Sequence, residues 1–439
     1  MGGNNILLKK FLIVLISIVV SCGLIFAYYY CNKKSEDISL KPSKNTVGTS
    51  TNITSSKNKD AIEIKLSAVG DILVHESQLL SQYNPDTKQY DFTNNFKFVK
   101  PYIESSDIAI ANLETTLAGE KNKYTGYPTF NTPDEIVDAL KGTGFDILSA
   151  ANNHILDRGS EGVLRTPEVV KSKGLDLIGI RKTAEDIPFV IKNVKEIKVG
   201  FTNYAFETQR NNGSKTLNSL IMPKEVEPLI DTFNYDYLNE DLLKMKERIN
   251  QMKASGAEVI VFSMHWGTEY QRQPNDYQKK IAKALADYGV DIILGTHPHV
   301  LEPIDYIESN ISNKKTLVVY SMGNFISNQC FERLNNRFPE DGTIVNITLK
   351  KDLKKNIITI EDVNYIPTWV HREPNGTNFI YEILPLTDAL KDKSKYNLTS
   401  KDSIWRAENS YNATTSLIRD SNSQFVVAPS FEEAITTSK

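Results

Sequence analysis

The chain is 439 residues long, 40% hydrophobic and 24% charged, the composition of an ordinary globular protein. Its formal net charge of −3 gives no sign of nucleic-acid binding, and none is expected. It has three cysteines, Cys22 and Cys31 in or beside an apolar segment and Cys330 alone, which excludes a disulfide framework and a thiolate zinc site.

Phe11 to Tyr30 is an uncharged, almost wholly apolar run between Lys9-Lys10 and Lys33-Lys34. About 20 residues cross a bilayer core. A cleaved signal peptide is the rival reading, and Val19-Val20-Ser21-Cys22 resembles a lipoprotein cleavage box. The apolar run continues past that cysteine into Tyr28-Tyr29-Tyr30, which reads as an interfacial aromatic belt and favours an uncleaved anchor. The expectation is a single-pass protein of the cell membrane, with residues 1–34 as cytoplasmic tail and transmembrane helix and the body outside the cell. Residues 35–60 are rich in Ser, Thr, Asn and Lys without apolar periodicity, so they read as a flexible stalk. Residues 61–395 read as the globular domain and 396–439 as a polar C-terminal tail.

Within the domain, Ile62 to Val69 alternates and then turns wholly apolar, a strand that runs into Gly70-Asp71. A second strand, Ile108 to Ala111, leads into Asn112-Leu113-Glu114. Thr132 as N-cap, Pro133 at the first position, acidic Asp134 and Glu135, then Gly142 and Gly144 predict a helix. It feeds a strand over Phe145–Ala150 that ends in Ala151-Asn152-Asn153-His154. Leu175–Ile180 reads as a short strand and Phe189–Phe206 as two strands around a turn. Leu242, Met245, Ile249 and Met252 carry helical spacing up to Gly256; the strand Val259–Phe262 then ends in Ser263-Met264-His265-Trp266-Gly267. A helix over Pro274–Tyr288 stops at Gly289, and the apolar run Val290–Leu294 ends in Gly295-Thr296-His297-Pro298-His299. Leu317–Tyr320 ends in Ser321-Met322-Gly323-Asn324-Phe325, and Thr343–Leu349 with Ile357–Tyr365 reads as a late hairpin. Strand–helix alternation predicts an α/β fold. Polar motifs at the ends of its strands match the place where open α/β sheets build sites.

Five of the six histidines, His75, His154, His265, His297 and His299, lie within a few residues after an apolar run. One strand-end histidine is most often structural, as His371 after Trp369-Val370 is expected to be. The joint pattern points instead to a shared metal site. Imidazole, carboxylate and an Asn carbonyl suit Zn, Mn, Fe, Ni or Co. Asp71, Glu114, Asn153, His265, His297 and His299 make six candidate ligands, too many for one tetrahedral ion. Two ions sharing a bridging carboxylate would use them all, an arrangement suited to hydrolysing phosphate esters.

In order, Gly70-Asp71, Asn112-Leu113-Glu114, Asn152-Asn153-His154 with Asp157 and Gly159, His265-Trp266-Gly267, Gly295-Thr296-His297-Pro298-His299 and Gly323-Asn324-Phe325 resemble the bacterial CapA family. These are poly-γ-glutamate capsule synthesis proteins, themselves similar to calcineurin-like metallophosphoesterases. The likeness covers about residues 62–330. It implies a sandwich of two mixed β-sheets flanked by helices, and two divalent ions, with Mn, Fe and Zn all open. It implies Asp71 and His299 on the first ion, Glu114 bridging, and Asn153, His265 and His297 on the second. His154 takes the place of the histidine that protonates the leaving group or steadies the transition state, with Asp157 to orient it. Phosphoesterases carry a histidine two residues after the first aspartate; Leu73 stands there, and His75 is the nearest substitute. The functions implied are a membrane-held metal-dependent hydrolase in synthesis or export of an anionic surface polymer, a non-catalytic assembly subunit that binds polymer or synthase subunits, or a general surface phosphoesterase.

Overall fold

The structure is a computed structural model that describes residues 60–437. The anchor expected over 1–34, and all of the stalk except Asp60, lie outside the described residues. Among the described residues no helix is long and apolar enough to cross a membrane.

Among the described residues two large sheets form, one of nine strands and one of seven. The chain first lays four parallel strands side by side: β1 (Ala61–Ile72), β2 (Ile108–Leu113), β3 (Ile147–Ser149) and β4 (Asp176–Ile178). It then builds the second sheet from β5 (Val190–Val194), β6 (Ile197–Phe206), β7 (Thr232–Phe233), β8 (Val259–His265), β9 (Ile292–Thr296), β10 (Ile304–Glu308) and β11 (Lys315–Val319). The order there is β7-β6-β8-β9-β11-β10, with β5 beside β6. Finally it returns to the first sheet with β12 (Asn324–Ile326), β13 (Asp341–Asp352), β14 (Ile357–Asn375), β15 (Asn378–Pro385) and β16 (Val426–Val427). That sheet reads β15-β14-β13-β1-β2-β3-β4, with β12 beside β1 and β16 beside β14.

The twofold alternation of each strand divides its residues between two layers. Ile64, Leu66 and Ala68 of β1 and Ile108 and Ile110 of β2 join Ile197, Val199 and Phe201 of β6, Val259 and Val261 of β8 and Ile292 and Leu294 of β9 in one buried layer drawn from both sheets. The residues between them face helices. Ala109, Ala111 and Leu148 pack with Leu79 of α1 (Glu76–Gln82), Val137 and Leu140 of α2 (Glu135–Thr143) and Val163 and Val170 of α3 (Gly159–Ser172). Ile260, Phe262 and Met264 pack with Leu242, Met245, Ile249 and Met252 of α4 (Leu238–Ala254) and Ile281 and Leu285 of α5 (Asp276–Tyr288). Each Val, Leu, Ile, Phe or Met among them contributes about 1.5–3 kcal/mol when fully buried, which makes these layers a main source of the fold's stability.

Two local expectations are corrected. Thr132 does not cap α2; that position falls to Asp134, and the Thr132 hydroxyl bonds Thr115 Oγ1 at 2.8 Å. Residues 396–439, expected as a polar tail, contain α6 (Lys401–Ser421), whose buried face is Ser403, Ala407, Ser410, Thr414 and Ile418. That spacing is helical, but small and hydroxylic residues carry it, so no apolar stripe marks it in the sequence.

The segment Tyr320–Asn324 carries the chain from the second sheet to the first, and it passes two glycines at backbone contact. A Cβ at Gly295 would stand 1.8 Å from Tyr320 O, and one at Gly70 would stand 1.8 Å from Gly323 O. Met322 N–H donates to Gly295 O at 3.1 Å and Asp71 N–H to Gly323 O at 3.0 Å, so neither contact can open freely. Gly70→Ala and Gly295→Ala are each expected to lower stability by about 3 kcal/mol or more, the upper end of overpacking, in urea unfolding. Gly142→Ala in α2, where a Cβ meets nothing within 4 Å, is the control and should gain up to about 1 kcal/mol. A Gly295→Ala protein as stable as the wild type would contradict the close approach.

Candidate metal centre

Every motif that ends a strand arrives at one edge, because the strands are parallel. Asp71 is the last residue but one of β1, Glu114 follows β2, and Asn153 and His154 lie in the turn after β3. From the second sheet, His265 is the last residue of β8, while His297 and His299 follow β9. Asn324 opens β12 directly opposite Asp71. The backbone N–H of His297 donates to Asp71 Oδ2 at 3.3 Å, a bond from one sheet to the other.

Glu114 lies at the middle. Its ligand atom falls within 4.8 Å of those of Asp71 and His265 in one group, and of His297 and His299 in another. All five residues are buried. This sharing around Glu114 is the arrangement a bridging carboxylate would have. Asn153 joins through its Oδ1, 2.9 Å from His265 Nε2.

The hydrogen bonds orient these groups. Asn112 Nδ2 donates to Asp71 Oδ1 at 2.8 Å and to Glu114 Oε2 at 3.3 Å. Asn324 Nδ2 donates to the carbonyls of His299 and Pro339 and to Gln329 Oε1, which turns its Oδ1 toward His299 Nδ1 at 3.1 Å. His299 Nδ1 also lies 3.2 Å from Asp71 Oδ2. Two acceptors there place the proton of a neutral imidazole on Nδ1 and leave the Nε2 lone pair facing Glu114 Oε1 at 3.7 Å. His265 Nδ1 meets Thr296 Oγ1 at 3.0 Å, and its Nε2 lies 3.7 Å from the same Glu114 oxygen.

The donor set fits a divalent cation. Among the described residues, Glu114 Oε1 and His297 Nδ1 are buried without a hydrogen-bond partner. Spacings of 3.7 Å between the Glu114 oxygen and two imidazole nitrogens are too long for hydrogen bonds. They are near the ~3.4 Å that ligand atoms keep around a tetrahedral ion with bonds of about 2.1 Å. Burial, then the neighbouring charge of Asp71, pushes the Glu114 carboxyl well above its usual range. Burial, then the charges that the other histidines would carry, holds His265 and His297 well below theirs, so both imidazoles are neutral and offer lone pairs. A buried carboxylate pair with one bare oxygen and neutral imidazoles around it lacks a positive charge, and a cation would supply it.

The strain of the site lies in the histidine turn. His297 has φ +97° and His299 φ +57°, both in the region that favours glycine. Phe206, 4.7 Å from the His297 ring, and the Asn324 network hold them there. Backbone held this way clusters at functional sites.

His154 and Asp157 form a separate pair beside the cluster. His154 Nδ1 is 2.8 Å from Asp157 Oδ2, an oxygen that also accepts from Phe130 N–H at 2.6 Å, and the Phe130 ring packs edge-on against His154 at 4.7 Å. His75 belongs to neither metal group. It heads α1, and its ring packs edge-on against Phe130 at 5.2 Å. Burial pushes it down to about 3, so it is neutral. Its Nδ1 accepts from Asn328 N–H at 3.3 Å, which leaves the ring proton on Nε2 and no lone pair for an ion. Leu73 is buried, with its N–H on Ile326 O. His371 lies on β14, 5.0 Å from the Trp369 ring and outside both groups. The orienting roles of Asn112, Asn324, Thr296 and Phe130 have no direct signature in the sequence. The first three stand inside the strand-end motifs, and the need of buried ligands for orienting partners is the one signal that points to them.

The family described as bacterial capsule synthesis protein PGA_cap matches residues 65–329. The chain is 30% identical over 291 residues to the capsule biosynthesis protein CapA of Bacillus anthracis, covering 63% of each. It is 30% identical over 270 residues to the PGA biosynthesis protein CapA of Bacillus subtilis, covering 61% of this chain and 64% of that one. The chain thus spans a little under two thirds of the length of these relatives. A solved phosphatase of Mycoplasma pneumoniae aligns over 77% of this chain and 99% of its own, at 15% identity and a TM-score of 0.41, a likeness too distant to bear on chemistry.

Glu114→Gln, Asn153→Ala and His297→Ala are each expected to lower bound Mn or Zn by elemental analysis, with Glu114→Gln the most severe because both groups contain it. His154→Ala should keep its metal. Divalent ion at about 100 times its Kd should add roughly 2.7 kcal/mol to wild-type stability, and chelation should remove it. Metal loss in His154→Ala equal to that in His297→Ala would make His154 a ligand.

Proposed function

This chain belongs to the family of bacterial capsule synthesis proteins, and on that premise we propose that it is a metal-dependent phosphoester hydrolase serving the synthesis or export of an anionic surface polymer, by resemblance poly-γ-glutamate. The observation that carries the reading is the bare, buried oxygen of Glu114, shared by two groups of ligand atoms. Asp71, Glu114, Asn153, His265, His297 and His299 would hold divalent ions, which would supply positive charge to polarise a phosphoryl group. The protein's own residues set the geometry. Asn112 fixes both carboxylates, Asn324 fixes the proton of His299, and Thr296 orients His265.

His154 is the group that holds and moves a proton. Asp157 takes its Nδ1–H, and Phe130 restrains both the ring and the carboxylate. The far nitrogen is then free to protonate a leaving oxygen, a task that suits imidazole at neutral pH. In this reading residues 1–34 hold the protein in the cell membrane by a single pass, 35–60 form the stalk, and the body lies outside the cell near polymer and synthase subunits. A second reading, a non-catalytic assembly subunit, is favoured by one feature. Leu73 packs into the core where phosphoesterases carry a histidine, and His75 has no lone pair to replace it.

With metal retained, His154→Ala should lower turnover of a generic phosphodiester by about 10²–10⁴-fold, the usual share of a general acid. A metal-loaded wild type inert on every phosphate ester and on γ-glutamyl polymer would favour the assembly subunit. Cell fractionation tests the anchor: the full-length protein should stay with membranes and a form lacking residues 1–34 should not. Full-length chain recovered as a soluble, shortened form would point to a cleaved signal instead.

A further inference from the structure

The loop that follows His265 carries a phenol outside the metal-ligand set and the His154–Asp157 pair. Tyr270 stands at φ +65°. A bulky residue in that region is strained by about 1 kcal/mol or more and persists only where its surroundings hold it. Here its backbone N–H donates to Pro298 O at 2.8 Å, which ties the loop to the turn between His297 and His299. Its ring centre lies 6.2 Å from that of His299. The side chain is half-buried, so one part of it is open to a ligand.

The phenol's hydrogen bonding is directional. Gln329 Nε2 donates to the Tyr270 hydroxyl oxygen at 3.3 Å. The Gln329 amide cannot turn round, because its Oε1 accepts from Asn324 Nδ2 at 3.0 Å, and Asn324 is itself fixed by two backbone carbonyls and His299. Tyr270 therefore receives a hydrogen bond from Gln329 and must direct its own proton elsewhere. Among the described residues no acceptor takes that proton. Burial, followed by the charges of Glu269, Tyr127 and Glu114, pushes the phenol up, so the proton stays in place at neutral pH.

We propose that the Tyr270 O–H donates a hydrogen bond to an oxyanion held at the metal centre, a phosphoryl oxygen, with Gln329 and Asn324 aiming it. The proposal rests on the phosphoester reading. The same chain of bonds that sets the proton on His299 Nδ1 also sets the direction of the Tyr270 proton, so one asparagine orients a metal ligand and a substrate contact together. A substrate with an ether or methylene in place of that oxygen would leave the phenol unpaired and bind less well.

The test is calorimetric binding of inorganic phosphate to the full-length, manganese-loaded protein, with manganese content and thermal midpoint measured in parallel. Tyr270→Phe keeps the ring and removes only the hydroxyl. It should bind phosphate about 10- to 100-fold more weakly, the share of one hydrogen bond to a charged partner, with unchanged manganese and midpoint. Gln329→Met should show a smaller loss in the same direction. Equal phosphate affinity in Tyr270→Phe and wild type overturns this proposal and leaves the phosphoester reading standing. Loss of manganese in Tyr270→Phe also overturns it, since the tyrosine would then support the metal loop. A wild type that takes up manganese but binds no phosphate overturns the phosphoester reading and this proposal with it.

Discussion

The site depends on a backbone seam. Between the end of β11 and the start of β12 the chain crosses from one sheet to the other, pressed against Gly295 on one side and Gly70 on the other. The crossing lets Asp71, at the end of the first sheet's central strand, receive the N–H of His297 from the second. A Cβ at either glycine would stand 1.8 Å from a carbonyl oxygen of the crossing segment, so that segment would have to shift and disturb the contact between the strand ends. The glycines of the strand-end motifs thus shape the candidate metal centre without lying among its ligand atoms.

Closure of the two edges leaves a charge imbalance. Asp71 and Glu114 are both fully buried, and His265 and His297 beside them are held neutral by that same burial. Asparagines satisfy part of the carboxylates' capacity, through Asn112 on both. They cannot supply charge. A buried carboxylate left unpaired costs several kcal/mol or takes up a proton, and the upward push on Glu114 is that second outcome. Divalent ions would resolve both problems at once, which links metal uptake to stability as well as to chemistry.

Much of this arrangement is legible in the amino-acid order alone. Apolar runs ending in Gly-Asp, Asn-Leu-Glu, Asn-Asn-His and His-Pro-His locate the strand ends, and parallel strands then have to bring those ends to one edge. Helix stops at Gly144 and Gly289 are equally plain, and both residues cap their helices. What the sequence hides is whatever depends on contact between distant segments. Asn324 sits 25 residues from His299 and on the other sheet, so its control of that ring's proton has no local signature. His75 stays open as a ligand on spacing alone, because spacing says nothing about which nitrogen accepts from Asn328 N–H. Helix α6 reads as a polar tail because its buried face is built from serine, alanine and threonine.

The direction of β1 sets this edge at the far end of the sheet from the strand's first paired residue. The strand pairs with β13 from Ala61 opposite Asp352 and runs straight to Asp71. Ten residues of extended chain cover about 33 Å, so the strand's entry point and the metal centre lie at opposite ends of the nine-stranded sheet. The site is therefore built at the outgoing ends of the strands, where the turns after β1, β2, β8 and β9 converge, and it draws its ligands from segments that share no local sequence.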